Sequence, residues 1–337
     1  MIARRRGALP PSPSPVPPLG SAELRAGNAK VVIIPALGGK IASLELGGRE
    51  WLWRNEILPY RLPVDGASYV ETGDSGGYDE CFPTIAPCTL PSTIPRYGGL
   101  TLPDHGELWS QPTTFSLETR AEGVFAATGW HGRRLPYRFV RGVFVGRDER
   151  VEMQYAVTND GKVPLPFVWA AHPLLPLTKG TRLIFPEGTR LRVWSQHGIE
   201  LGGPGAELRW PRAAVRGKLV DFSLPGMVAR AYACMLFLDM PVGRAAVEED
   251  GVRLEVAFDP LEVPHVGLWI NRHGWTPFRR VRAYSNLGLE PCIGPPGSLT
   301  EALGGWRSAA WIEPGETKRW RLVWRATRRP PSGGETA

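Results

Sequence analysis

Apolar and polar residues alternate with a period of two along much of the chain. Val151, Met153, Tyr155 and Val157 are interleaved with Glu152 and Gln154. Val252, Leu254, Val256 and Phe258 enclose Arg253 and Glu255, and Trp320, Leu322 and Trp324 alternate with Arg319 and Arg321. Successive side chains of a strand point to opposite faces, so each segment reads as a half-buried strand. Residues 31–34, 139–144, 165–170, 235–238 and 266–270 are instead mainly apolar runs of strand length. Such runs fit strands covered on both faces. Turn signals such as Asn159-Asp160-Gly161 and Pro204-Gly205 punctuate them.

Ser298-Leu299-Thr300-Glu301 has capping-box spacing, but Gly304-Gly305 limit any helix there to a turn or two. No helical segments alternate with the strands, which argues against a parallel βαβ fold. The expected fold is all-β: one large antiparallel domain over residues 21–327, built as two packed sheets or a barrel because inner faces must be covered. Composition agrees. Of 337 residues, 40 are Gly and 34 are Pro, and these cost about 1 and about 3 kcal/mol respectively in a helix interior. Residues 1–20 are Pro/Ser-rich and 328–337 are similar, so both read as disordered tails.

Charge changes the picture less than it first suggests. Lys+Arg 40 against Asp+Glu 33 gives +7, which points toward a polyanion. Only Lys30, Lys40, Lys162, Lys179, Lys218 and Lys318 are lysines; the rest are Arg, in pairs and triplets mixed with acids. With Ala, Gly and Pro also abundant, the excess reads as compositional, and no nucleic-acid partner is expected. No apolar run reaches about 18 residues, so no membrane span is expected. No apolar signal segment follows Arg4-Arg5-Arg6, and a cytoplasmic protein is expected.

Two kinds of motif mislead. Gly73-Asp74-Ser75-Gly76-Gly77 matches the GDSGG of trypsin-like proteases, and Ala170-Ala171-His172 echoes their AAH. The order is reversed, since those proteases place His before Ser. A nucleophile elbow needs a helix after it, and Pro83 and Pro87 break one. The run reads as a tight Gly loop. Cys81, Cys88, Cys234 and Cys292 form no disulfide framework, and the six His contain no HxH or HExxH pair. Free thiols and no metal are expected.

Three segments carry better chemistry: Pro103-Asp104-His105-Gly106-Glu107, Trp169-Ala170-Ala171-His172-Pro173 and Leu287-Gly288-Leu289-Glu290-Pro291. Each puts an ionisable group beside Gly or Pro in an apolar strand-end setting. A lone His there often serves the core. Glu290, between Leu289 and Pro291, should be partly buried, which raises a carboxyl pKa and prepares it for proton transfer.

With Val31-Val32-Ile33-Ile34-Pro35-Ala36-Leu37-Gly38-Gly39-Lys40 and Gly47-Gly48-Arg49-Glu50-Trp51 ahead of them, these motifs fall in a familiar order. Over residues 25–325 the chain resembles the aldose 1-epimerase (galactose mutarotase-like) family. The resemblance implies a large antiparallel β-sandwich and exchange of sugar anomers without metal or other cofactor. It implies Glu290 as the base on the C1 hydroxyl, His172 as the acid on the ring oxygen, and His105 as a second pocket His. The family's early Asn-Arg pair has no match; Asp79 and Glu80 stand there instead as candidate hydroxyl ligands. Asp221 and Asp239 are candidates for the family's substrate Asp. Trp269 and Asn271, on a strand ahead of Glu290, are candidate sugar contacts. The expected partner is a small sugar. If it is phosphorylated, Arg133, Arg134, Arg138 and Arg141 are the nearest basic cluster. A binding protein without turnover, and a glycosidase or lyase, are the rival readings.

Overall fold

The structure is a computed structural model that describes residues 19–56, 58–279 and 281–328. The expected tails fall mainly on 1–18 and 329–337, which lie outside the described residues. Antiparallel strands dominate. An 11-stranded sheet includes Ala29–Ile34, Lys40–Leu46, Tyr78–Cys81, Trp169–Pro176, Ser285–Ile293, His265–Arg272, Tyr232–Asp239 and Arg190–His197, in that spatial order. An 8-stranded sheet includes Val252–Phe258, Thr317–Arg328, Arg150–Asn159, Tyr137–Gly146 and Gly123–His131.

The alternation works as the sequence suggests. Val151, Met153, Tyr155 and Val157 are all buried, as are Trp320, Leu322 and Trp324, on the face of the smaller sheet that meets the larger. Aromatic rings bridge the layers: Tyr155 lies 4.8 Å from Trp169, and Phe139 lies 5.3 Å from Phe82, centroid to centroid. Tyr78 and Tyr155 hydroxyls meet at 2.9 Å. The fold is therefore an all-β antiparallel sandwich. Among the described residues helix is confined to Leu299–Leu303, a single π-helical turn at Tyr69–Gly73 and two short 3-10 turns; Ser298 Oγ accepts from the Glu301 N–H at 3.4 Å, completing one half of the anticipated cap.

One run divides. Residues 165–170 read as one strand, but the chain changes partners at Val168. Leu165–Phe167 pairs with Ala310–Ile312, while Trp169–Pro176 enters the large sheet. An apolar run shows burial on both sides and hides such a transfer.

The larger sheet is covered on both faces, and this positions the site. Within Tyr78–Cys81, Tyr78 and Glu80 point inward to the sandwich core, whereas Asp79 and Cys81 point outward. Cys81, Ala170, Met235, Phe237 and Cys292 form a separate apolar cluster with Ile85 on this outer face. His172 pairs across with Asp79, and Glu290 with Gly267, in the same outer layer.

Candidate functional site

A cavity of about 270 Å³ opens on the outer face, lined by His105, His172 and Glu290 together. The three come from separate parts of the chain. Glu290 and His172 stand on the neighbouring strands Ser285–Ile293 and Trp169–Pro176. His105 comes from a loop in a left-handed conformation (φ 56°), followed by Gly106 at φ 71°. A Cβ on Gly106 would lie 2.1 Å from the Phe82 carbonyl oxygen. Only glycine permits this approach.

His172 Nε2 lies 3.7 Å from Glu290 Oε1. The His172 and His105 rings meet edge to face with centroids 5.0 Å apart. Tyr69 stacks on His105 at 4.0 Å and meets His172 edge-on at 5.6 Å. The Tyr69 hydroxyl donates to Asp79 Oδ2 at 2.7 Å and lies 3.5 Å from His172 Nδ1. A hydroxyl already donating to a carboxylate can only accept from the imidazole. We therefore assign the proton to His172 Nδ1, leaving the Nε2 lone pair toward Glu290. His105 Nδ1 is held by Asp104 Oδ1 at 2.8 Å. Asp104 Oδ2 accepts from the Tyr69 N–H at 2.8 Å. Burial would raise the Asp104 pKa, but His105 and the backbone N–H groups of Val70 and Tyr69 hold it below the usual value.

Electrostatics separate the central pair. Burial pushes Glu290 up to about 8. Burial first, then His105 and Lys40, push His172 well below its ordinary value. Burial thus favours the uncharged form of both partners. The carboxyl also needs space. A Cβ on Gly288 would lie 2.2 Å from Glu290 Oε1, and one on Gly267 would lie 3.3 Å from Oε2. Two glycines thus leave the ledge on which Glu290 lies.

The other candidates divide. Trp269 lines the cavity with Trp194, Trp275 and Met235, and its Nε1 donates to Asn286 Oδ1 at 3.1 Å. Asn271 does not line it. Its side chain is buried and fixes the following turn, accepting from the Gly274 and Trp275 N–H groups at 3.1 Å each and donating to the Trp275 carbonyl at 2.9 Å. Asp79 also lies off the cavity wall, paired with buried Lys40 and Tyr69. Glu80 is on the opposite face, bonded to Arg141, Tyr155 and Trp169 at 3.2, 3.1 and 3.0 Å. Neither lines this cavity. Asp221 pairs with Arg212, and Asp239 with Arg190 and His265, away from the cavity.

The four arginines do not form one cluster. Arg133 and Arg134 pair with Asp65, Arg138 pairs with Asp160, and Arg141 is buried against Glu80. No Lys or Arg is among the described residues lining the cavity. Asp74, within the GDSGG run, does line it. Its Oδ2 accepts from the Tyr284 hydroxyl at 3.0 Å, while buried Oδ1 has no hydrogen-bond partner. Burial pushes its carboxyl up to about 6. The adjoining Ser75 hydroxyl donates to the Gly73 carbonyl at 3.3 Å, and the run is a tight turn. All four cysteines are free; Cys88 is half-buried and the others are buried. No helix among the described residues is long and apolar enough to cross a membrane.

No family model matches the chain, and no curated protein matches it. Solved structures do. The Slr1438 protein from Synechocystis sp. PCC 6803 is 16% identical, with a TM-score of 0.65 over 96% of this chain and 100% of that one. A candidate aldose 1-epimerase from Escherichia coli K12 is 16% identical, with a TM-score of 0.66 over 92% and 99%. A galactose mutarotase related enzyme from Lactobacillus acidophilus is 14% identical, with a TM-score of 0.59 over 91% and 97%. At these identities the likeness concerns architecture: the chain has the galactose mutarotase-like fold.

Proposed function

We propose that this protein is an aldose 1-epimerase-like enzyme that interconverts the α and β anomers of a small sugar, with residues 21–327 as one catalytic unit. The observation that carries the reading is the convergence of His105, His172 and Glu290 on one aromatic-walled cavity.

The ring oxygen and the C1 hydroxyl oxygen are bonded to the same carbon. An acid and a base in contact can therefore serve both. With its proton at rest on Glu290, the carboxyl donates to the ring oxygen while His172 Nε2 accepts the C1 hydroxyl proton. The C1–ring oxygen bond breaks and C1 becomes an aldehyde. Rotation about C1–C2 presents its other face. Re-addition of the C5 hydroxyl oxygen returns one proton to Glu290 and takes one from His172. This order reverses the acid and base roles that the family resemblance implies, because burial favours the neutral carboxyl and the neutral imidazole. His105, fixed by Asp104, presents Nε2 to the cavity as an acceptor that orients a sugar hydroxyl. Trp269 and Trp194 offer apolar walls to the sugar ring.

The test follows pure α-anomers of glucose, galactose and a hexose 6-phosphate by NMR. Catalysed exchange of an uncharged sugar is expected; a cavity wall without Lys or Arg predicts little acceleration of the phosphate ester. Binding without acceleration would favour a non-catalytic carbohydrate-binding protein. Asp74 gives the cavity a second carboxyl, so an oligosaccharide belongs in the experiment. New reducing ends would identify a glycosidase instead.

Gly288→Ala gives a sharper geometric check. The added methyl meets chiefly the flexible Glu290 carboxyl and crowds Trp269 Cβ at 3.1 Å, so the fold should persist with a slight shift of the neighbouring strand while the Glu290 carboxyl is displaced. Misplacement of about 1 Å can cost about 100-fold, and a loss of that order in kcat is expected in a protein that still unfolds cooperatively. A fully active Gly288→Ala protein would mean that the carboxyl position is not critical.

A further inference from the structure

Cys81 has no part in the proton transfers above. Its thiol is buried on the outer face of the large sheet, beneath the cavity that His105 and His172 line. One nitrogen from each of these rings and Cys81 Sγ all lie within 4.8 Å of one another.

Both rings are held as metal ligands are held. A ligating His normally commits its second nitrogen to a carboxylate, carbonyl or other hydrogen-bonding group, which fixes the ring and its tautomer. Here His105 Nδ1 is engaged by Asp104 at 2.8 Å, and His172 Nδ1 by Tyr69 at 3.5 Å. Each Nε2 keeps its lone pair. Glu290 Oε1, 3.7 Å from His172 Nε2, offers an oxygen donor on the cavity side. Asp74 and Asp104 line the cavity, while the nearby Lys40 is paired with Asp79.

We propose that Cys81, His105 and His172 form a binding site for a borderline-soft divalent cation, best fitted by Zn²⁺, and that its occupancy blocks sugar chemistry by capturing the His172 lone pair. Two imidazoles and a thiolate are ordinary zinc donors, with Zn–N about 2.0–2.1 Å and Zn–S about 2.3 Å. Tetrahedral bonds of those lengths put donors roughly 3.5 Å apart. Side-chain movements of about an ångström therefore close the site. As the Zn–S bond forms, Cys81 releases its proton to solvent, and nothing is oxidised. Access is from the cavity, so metal and sugar compete.

The test uses the full-length protein stripped of metal with a chelator. Calorimetry with Zn²⁺ should give one ion per chain and about one proton released, read from buffers of different ionisation heat. Co²⁺ should produce a thiolate-to-cobalt charge-transfer band. Zn²⁺ should suppress anomer exchange reversibly, with recovery on chelation. Cys81→Ser should lose the band and bind Zn²⁺ at least tenfold more weakly, whereas Cys88→Ser should change neither. Absence of stoichiometric Zn²⁺ binding, absence of the cobalt band in the wild-type protein, or unchanged affinity in a folded Cys81→Ser protein would each overturn the site. The metal readouts need no sugar, so they stand or fall separately from the epimerase reading. Zn²⁺ binding with undiminished exchange would overturn the blocking role.

Discussion

Glu290→Gln is expected to lower catalysed anomer exchange by about 10³-fold, within the 10²–10⁴ range of general acid–base contributions. Gln keeps the shape of the side chain and fits the same ledge over Gly288 and Gly267. It can neither deliver the resting proton of the pair nor take one back. With Glu290 silenced, His172 alone would have to serve both oxygens of the anomeric centre. Sugar affinity should change only a few-fold, because the aromatic walls and Asp74 remain. The effect should therefore fall on kcat rather than KM. Thermal stability should be no lower, since among the described residues the carboxyl has no close hydrogen-bond partner to lose and the neutral His172 imidazole stands 3.7 Å away. NMR line-exchange measurements on wild type and variant decide the matter. Equal rates on every sugar would remove Glu290, and the epimerase reading with it.

The central residues were legible because their setting was unusual, ionisable groups beside Gly or Pro in apolar runs; the expected strand-end placement was not met, since His172 and Glu290 lie within Trp169–Pro176 and Ser285–Ile293. Period-two alternation also marked the strands that face the core, such as 151–157 and 320–324. What it did not reveal was the face that carries the cavity. Asp79 and Glu80 are adjacent, so the pleat sends them to opposite sides of the sheet. Both sides are buried, so the sequence has no polar face to mark the outside. Asp79 became a support beneath Tyr69, and Glu80 a partner for Arg141. Asn271 had the right strand but serves the turn that carries Trp275. Asp221 was absorbed by Arg212 across its own hairpin, and Asp239 by Arg190 and His265 from other strands, which no local spacing shows. Asp74 was hidden in a motif that resembles a protease loop, and Trp194 and Trp275 had no ionisable residue directly beside them to single them out.

The Arg141–Glu80 pair should dominate stability, on the side of the sheet opposite the chemistry. Both side chains are fully buried between the two sheets, with Nη1 and Oε1 at 3.2 Å. Arg141 also donates to the Gly39 carbonyl, and Glu80 accepts from Trp169 Nε1 and the Tyr155 hydroxyl. Burial pushes Glu80 up to about 7 even with Arg141 and these donors pulling it down. Arg141→Leu would leave that carboxyl without its cation, and removing one partner of a buried pair costs about 3–5 kcal/mol. The double variant Arg141→Met with Glu80→Gln removes both charges, and an uncharged replacement of a buried pair is often close to neutral. Urea denaturation should therefore show a large loss for Arg141→Leu and recovery of more than half of it in the double variant. Because the pair faces away from the cavity, the folded fraction of each variant should retain exchange activity close to wild type. A small loss in the single variant would mean that water reaches Glu80. Lost activity in a folded double variant would mean that the pair also sets the position of the strand carrying Asp79, and through Tyr69 the orientation of His172.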